Sequence, residues 1–588
     1  MIEDKLKRSF RIAFVVILLL GLALRLYGIT WGLPNELHPY YYHPDEARLI
    51  QYMANMHPGS FDFYPDDFAY PTFHVLFVGA ILLVLSKLGF IIVAADPLFY
   101  AANPGAFAHI ILVGRLIGVG FSIASLVMVY LIGKHLYNRK AGIIAMLFMA
   151  INPLDVVESH YFTLDAPMIF WMLLCVFASI RIAKEGERVW YLLAGAALGL
   201  AGATKYPGLM AGVFIVAGHI FFTRKHKDDF KDLVRSFLSK DILICGIIFI
   251  AAFLIGVPYA MLEPGTFIGN FIKTYEISSG ADQSFPWFYN IGLASWSYHW
   301  NNIPFVYQLT ALLPFAFGIM MYLSVLVSFW LMIRYADLRS KVFVMGAFAL
   351  YLLLIGKWIN VFPRYVLFLM PLGALACAIG QRITLKVWRG PAPMVIFWLV
   401  IVATFVHTVS LDYKFNDTQD QAYDWIMGNI ADDSKIATTL WAPLRYSPLQ
   451  DREALDNKAM RNDVIVSKRA NDPDSQDMTF LALCKGGLCK SFKSYTMYNP
   501  APDWFDKRSP DYVILSSLET DGVDAPHFDK SVDSIRSFYT RFANCNSSYY
   551  TVAVFDRPYF LESFYALLDP RLKSLYPSPR IEILRKAQ

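Results

Sequence analysis

The sequence predicts an α-helical polytopic membrane protein that ends in a smaller soluble α/β domain. Three observations predict it. Of the 588 residues, 56% are hydrophobic and only 17% are charged, against roughly a quarter charged in soluble globular chains. Apolar runs long enough to cross a bilayer recur up to Leu411. Beyond Leu411, Asp, Asn, Ser and Lys become frequent and no long apolar run remains. The net charge of +5 is spread over short loops, without the basic stripe that nucleic acid requires, so no nucleic-acid partner is expected.

The elements follow in chain order. The first apolar run, 12–30, sits behind Lys5, Lys7, Arg8 and Arg11 and has no small-residue cleavage site after it. It reads as an uncleaved first span. Further long runs lie at 71–94, 108–133, 163–183, 207–223, 241–260, 305–333, 341–357, 363–381 and 392–411. Two shorter ones, 141–152 and 190–204, need their flanks to span. Connections rich in Lys and Arg alternate with connections that have almost none. Residues 31–70 carry only Arg48, 153–162 carry none, and 261–303 carry only Lys273. The positive-inside rule puts the N-terminus and the basic loops in the cytoplasm and the bare loops outside.

That orientation sets a parity condition. The run at 108–133 must travel inward, so 71–107 crosses an even number of times: either 71–94 dips into the outer leaflet, or the stretch is a hairpin. About eleven or thirteen crossings result, and the membrane portion, 1–411, hands over to an extracytoplasmic domain, 412–588. Within that domain Gln421–Ile430 reads as a helix. Lys435–Trp441, Asp463–Ser467, Tyr512–Leu515, Tyr549–Phe555 and Ile581–Leu584 read as strands. Cys484 and Cys489 flank a Gly-Gly turn that can bring them together, and the outside compartment permits a disulfide. No second Cys/His pair stands at zinc-ligand spacing. Cys175, Cys245 and Cys377 sit in apolar runs and read as packing residues.

Ionisable residues near a membrane are costly unless used. Four outward segments carry them. The first is Tyr41-Tyr42-His43-Pro44-Asp45-Glu46. The second holds Asp155, Glu158, His160 and Asp165. Lys205 stands in Ala-Thr-Lys-Tyr-Pro-Gly. Lys357, Arg364 and Tyr365 stand in Lys-Trp-Ile-Asn-Val-Phe-Pro-Arg-Tyr. Carboxylates and cations at one membrane face suit transfer of a sugar from a lipid phosphate. A cation binds the phosphate and stabilises its growing charge, and a carboxylate takes the acceptor's proton. No glycine loop of a nucleotide-binding kind is present. Blander readings compete. Asp45 and Glu46 follow Pro44 and also suit a helix start. Asp165 also suits a helix N-terminus. Lys205, Lys357 and Arg364 also suit interface anchors. Asp155 and Glu158 read as solvated loop residues, and His43, His74 and His299 as interface residues.

These motifs resemble the protein O-mannosyltransferase and aminoarabinose transferase family. The resemblance rests on the Asp45-Glu46 pair, the Pro-x5-Ser-x5-Asp stretch from Pro153 to Asp165, Ala-Thr-Lys-Tyr at 203–206 and Pro-Arg-Tyr-x-Leu-x3-Pro from Pro363 to Pro371. Ala-Tyr-Asp-Trp-Ile at 422–426 resembles the start of the family's bacterial soluble domains. The resemblance covers about residues 10–430. It implies the GT-C fold and a polyprenyl-phosphate sugar donor, with a protein, lipid or glycan as acceptor. It implies Asp45 as general base, with Glu46 orienting a partner or binding a metal, and Asp165 as the second outer acid. Lys205 and Arg364, with Lys357, His160 and Tyr365, fall near the phosphate. His160 departs from the family, many of whose members carry Arg there.

Three rivals remain. An oligosaccharyltransferase-like GT-C enzyme would need manganese or magnesium, whereas the preferred reading requires no cofactor. A transporter or flippase would place ionisable residues at helix centres in two related halves. A receptor would leave the outer acid and cation set unexplained.

Overall fold

The computed structural model describes residues 2–35, 43–94, 99–100, 103–226, 229–279, 305–356, 362–415, 418–439, 478–485, 488–497, 509–517, 548–568 and 579–587. The principal helices are α1 (Ile2–Leu26), α2 (Pro44–Asn55), α3 (Phe73–Lys87), α4 (Pro104–Leu136), α5 (Arg139–Ala150), α6 (Pro153–Glu158), α7 (Asp165–Glu185), α8 (Arg188–Thr204), α9 (Gly212–His226) and α10 (Lys240–Gly256). They continue as α11 (Ile319–Tyr335), α12 (Ala347–Ile355), α13 (Leu369–Val387), α14 (Ala392–Asp412), α15 (Thr418–Asn429) and α16 (Glu562–Leu568). Among the described residues seven helical segments are long and apolar enough to cross a membrane, or eight if the bent pair around Gly318 counts as one span. The chain is a multi-pass membrane protein. The roughly eleven or thirteen crossings expected from the sequence include shorter runs that span only with help from their flanks. Several such runs form shorter helices: α3 has 15 residues, α5 has 12 and α8 has 17, or roughly 18–26 Å at the helical rise.

The run at 305–333 is not one helix. Residues 308–317 and 319–335 meet at 113°. Gly318 sits at the bend with φ +75°, a conformation that glycine adopts without the Cβ clash other residues meet. The run at 363–381 also divides: a 3-10 turn, Pro363–Val366, precedes α13.

Close packing has a simple origin between α8 and α10. A Cβ on Gly195 would stand 2.4 Å from the Cys245 carbonyl oxygen, and one on Gly199 would stand 2.6 Å from that of Phe249. Glycines four residues apart share one helix face, and here they let two backbones touch. The buried core runs through α5, α7 and α13.

The C-terminal part contains a six-stranded sheet of order β2-β3-β1-β4-β6-β5. Its strands are β1 (Lys435–Thr439), β2 (Met478–Lys485), β3 (Leu488–Met497), β4 (Tyr512–Ser516), β5 (Tyr549–Phe555) and β6 (Ile581–Lys586). β1 runs parallel to β3 and β4, and the remaining pairs are antiparallel. The hairpin of β2 and β3 was not foreseen. Its backbone register sets Cys484 opposite Cys489. The strand expected at 463–467 lies outside the described residues.

Candidate active site

Two buried arginine–carboxylate pairs frame the site before any reacting group enters it. Arg115 of α4 grips Glu46 with two bonds, Nε to Oε1 at 2.7 Å and Nη2 to Oε2 at 2.9 Å. Its Nη1 donates to the carbonyls of Ile29 and Trp31 at 2.7 and 2.6 Å. The Phe162 amide also donates to Glu46 Oε1, at 2.9 Å. Glu46 is fully buried and ties the start of α2 to α4 and to the loop before α7. Below it, Arg25 of α1 donates to Asp155 at 2.5 Å and to the carbonyls of Gly21, Ala150 and Met149.

These contacts correct two expectations. Glu46 was expected to be catalytic or a metal ligand, but both its oxygens are committed to Arg115 and a backbone amide. Asp155 was expected to be solvated, but it is buried as the counter-ion of Arg25. His160 is corrected as well. Its Nδ1 lies 2.8 Å from the Val156 carbonyl oxygen and its Nε2 lies 2.7 Å from that of Tyr27. Its ring stacks on Phe415 with centroids 4.0 Å apart. Both nitrogens are used in holding the end of α6 to the end of α1, so His160 does not face a phosphate.

On this frame the first turn of α2 presents Asp45. Pro44 stands at the first helical position, and the His43 ring accepts the Asp45 amide at 3.3 Å. His43 stacks on Tyr161 at 4.1 Å, and burial lowers its pKa to about 4. Neutral His43 can therefore accept that bond. Arg364, from the 3-10 turn before α13, reaches Asp45 Oδ2 with Nη1 at 3.2 Å. The Arg364 guanidinium lies 4.4 Å over the Phe362 ring. Burial pushes the Asp45 carboxyl upward, but Arg364 foremost, with Lys205 adding to it, outweighs burial and holds the carboxyl below its usual value.

A second pair stands alongside. Lys205, at the C-terminal end of α8, donates from Nζ to both oxygens of Asp165 at 2.8 Å. Asp165 opens α7. The two pairs feel each other: Lys205 lowers Asp45, and Asp165 acts on Arg364. Four segments far apart in sequence thus converge on one cluster of two carboxylates and two cations. Tyr365, also expected here, acts on Arg364. Lys357 and His299 lie outside the described residues. His74 is buried in α3 beside Phe77, Phe121 and Phe162.

One member of the cluster escaped the sequence, Tyr70, and another, Glu158, was expected to be a solvated loop residue and is not. Tyr70 lies in the field of Asp45, and that carboxylate together with burial raises the phenol well above its usual value. Glu158 ends α6. Burial, Asp165 and Asp45 push its carboxyl up to about 8, against the pull of Arg364 and Lys205. Among the described residues no three His, Cys, Asp or Glu side chains converge as metal ligands.

Comparison with known proteins agrees with the motifs. Residues 105–255 match the family model described as dolichyl-phosphate-mannose-protein mannosyltransferase. The putative mannosyltransferase YkcB of Bacillus subtilis is 26% identical over 243 residues, covering 40% of this chain and 29% of that protein. Dolichyl-phosphooligosaccharide-protein glycotransferase 2 of Pyrococcus furiosus is 32% identical over 109 residues, covering 18% of this chain and 15% of that protein. The chain therefore spans less than a third of the length of these curated relatives. Among solved structures, ArnT of Cupriavidus metallidurans aligns over 98% of both chains at 12% identity and a TM-score of 0.45. The oligosaccharyltransferase of Archaeoglobus fulgidus aligns over 98% of this chain and 88% of that one at 12% identity and a TM-score of 0.49.

The helical architecture defines the class as a multi-pass membrane protein, and the family match makes one segment of it similar to a membrane mannosyltransferase family. That segment, 105–255, is similar to the dolichyl-phosphate-mannose-protein mannosyltransferase family. This is the family that the motifs resemble.

Proposed function

We propose that the protein transfers one sugar from a polyprenyl monophosphate to an acceptor hydroxyl or amine at the outer face of the cytoplasmic membrane. The observation that carries this reading is the adjacency of the Asp45–Arg364 and Asp165–Lys205 pairs. Asp45 is the base. Arg364 holds its carboxyl low, so it is ionised but only weakly basic. A donor phosphate that engages Arg364 shares that positive charge, and the Asp45 carboxylate becomes more basic when the sugar is in place. Proton transfer then coincides with donor binding. Arg364 and Lys205 stabilise the charge left on the departing phosphate. Asp165 positions the Lys205 ammonium. The names of the matched family and relatives make mannose the first sugar to try.

The outward orientation rests on the loop charge bias, and by the same rule the region after Asp412 is a soluble domain on that outer side. Because Arg364 and Lys205 neutralise the phosphate, the reading requires no divalent metal.

The experiment compares Asp45→Asn with the unaltered chain. Cells lacking a working copy should accumulate a polyprenyl-phosphate sugar, read by mass spectrometry, and D45N should not restore its use. Transfer by purified D45N in proteoliposomes should fall at least about a hundredfold, and transfer by the unaltered chain should survive EDTA. Near-normal turnover by D45N would remove Asp45 from the role. Loss with EDTA, restored by manganese or magnesium, would establish the metal-dependent rival.

A further inference from the structure

The segment Phe230–Gly256 is longer than a bilayer core is thick. Its 27 residues measure roughly 40 Å at the helical rise, against about 30 Å of hydrocarbon. The charges decide which end is left over. Lys231, Asp232, Arg235, Lys240 and Asp241 all fall before Ile242, and no charged residue occurs from Ile242 to Gly256. The end left over is therefore the short helix Phe230–Ser236. Side chains fix how that helix is turned. Leu233 is buried, and the Phe237 ring packs edge-on against His219 at 5.0 Å. The Ser236 hydroxyl donates to the Leu233 carbonyl at 2.6 Å and accepts from Thr223 at 3.3 Å. Its one proton is thus used, so His219 Nε2, 2.9 Å away, donates to it. His219 Nδ1 then accepts the Tyr191 hydroxyl at 2.7 Å.

With that face docked, the next two faces round the helix are open. Phe230, Val234 and Leu238, spaced four apart, are 67%, 54% and 75% exposed. Lys231 and Arg235 follow about 100° further round and are exposed as well, as are Lys225 at the end of α9 and Lys240 at the start of α10. Asp241 pairs with Arg188 at 2.7 Å. Among the described residues of this tip, Asp229, which caps the Lys231 amide at 3.2 Å, and Asp232 therefore stand against those four cations. An apolar strip beside a basic one, at the end of a membrane-crossing segment, complements a molecule whose apolar chains end in a negative charge. We propose that this tip binds an anionic phospholipid of the bilayer. Lys231 and Arg235 hold the charged headgroup, and Phe230, Val234 and Leu238 lie against the acyl chains. The site stands at the other end of the Tyr206–Lys225 segment from Lys205, so it is separate from the Asp45 cluster and does not depend on the sugar donor proposed there.

The test uses the full chain, stripped of lipid in detergent. The probes are dioleoyl phosphatidylglycerol and dioleoyl phosphatidylcholine, and retained lipid is counted by native mass spectrometry. Phosphatidylglycerol should bind at least about twentyfold more tightly than phosphatidylcholine at low salt, at about fivefold for each basic side chain engaged. The difference should shrink in about 0.5 M salt. Lys231→Gln with Arg235→Gln should remove most of the preference and leave phosphatidylcholine binding within about twofold. Phe230→Ser with Val234→Ser should weaken both lipids. Lys134→Gln with Lys140→Gln is the control and should change neither lipid. Both residues are exposed, and the described residues between Leu116 and Val189 include no exposed large apolar side chain. Equal loss of phosphatidylglycerol in K231Q/R235Q and in the control overturns the inference, because general charge attraction then accounts for it. Displacement of the lipid by an equal concentration of glycerol phosphate, which has the charge and no chains, overturns it too. So does a preference in the unaltered chain that is absent or ignores salt, a readout that needs no variant to fold.

Discussion

At the scale of single residues, the structure brings together four of the charged residues that the sequence singled out. Asp45, Asp165, Lys205 and Arg364 were legible because a membrane face is a poor place for a charge without a use. What the sequence did not tell apart was a carboxylate of the cluster from a framing one. Asp45 and Glu46 are neighbours on one helix turn, yet they point about 100° apart on the helical wheel. One faces Arg364 and the other Arg115. Tyr70 was missed and Glu158 was misread as solvated for a related reason. No pattern in 151–169 says that this outer stretch is buried. The framing role makes a prediction. Glu46→Ala leaves Arg115 as an uncompensated buried cation, a loss of about 3–5 kcal/mol for broken pairs of this kind. Asp45→Asn leaves a polar side chain in a partly exposed place. E46A should therefore aggregate or elute early in size-exclusion of the detergent-solubilised chain, while D45N elutes as the unaltered protein does. If E46A is monodisperse and only inactive, Glu46 acts in the chemistry after all.

At the scale of elements, long apolar helices announced themselves and their interruptions did not. The break at Gly318 lies within a continuous apolar run, and nothing in Phe315 to Ile319 but one glycine marks a 113° bend. The β2–β3 hairpin was missed because its strands mix Lys, Ser and Thr with a few apolar residues and offer no clean alternation. Helix contact also positions the site. Lys205 follows α8 directly, so the seating of α8 on α10 sets where its ammonium arrives. Gly199 lies inside that contact, 2.6 Å from backbone once a Cβ is added. Gly199→Leu should force the helices apart. Overpacking of this kind costs about 1–3 kcal/mol, and it should also lower transfer by displacing Lys205 from Asp165. Gly246→Leu is the control, because a Cβ there meets nothing within 4 Å. Equal melting temperatures for G199L and G246L would mean that the α8–α10 contact is looser than its geometry states.

At the scale of the whole molecule, the change of composition after Leu411 does not say how the later residues are attached to the helices before them. Polar contacts across long sequence distances are the part a linear reading does not reach. Lys414 reaches Glu562 at 3.5 Å, both buried, and lies 5.2 Å over the Tyr559 ring. The Thr418 hydroxyl donates to the Pro579 carbonyl at 2.8 Å. The strongest tie is Tyr565 of α16, which is fully buried. Its hydroxyl accepts the Ile319 amide at 3.2 Å and donates to the Pro314 carbonyl at 3.4 Å. Its ring packs edge-on against Phe315 at 5.4 Å and beside His407 at 5.0 Å. Ile319 is the first residue of α11, where amides have no partner within the helix. The C-terminal part thus caps a helix that the Gly318 break exposes, and the expected outcome is that its unfolding and that of the helical part are coupled. Tyr565→Phe removes the cap and keeps the ring, at about 1–3 kcal/mol for an amide left buried without a partner. Tyr565→Ala also opens a cavity and should cost about 3–5 kcal/mol. Thermal unfolding of the solubilised chain, followed by labelling of buried Cys377 in α13, should show the losses in that order. Cys377 labelling that stays at the unaltered temperature in both variants would mean that the two parts fold independently, with Tyr565 serving only its own side.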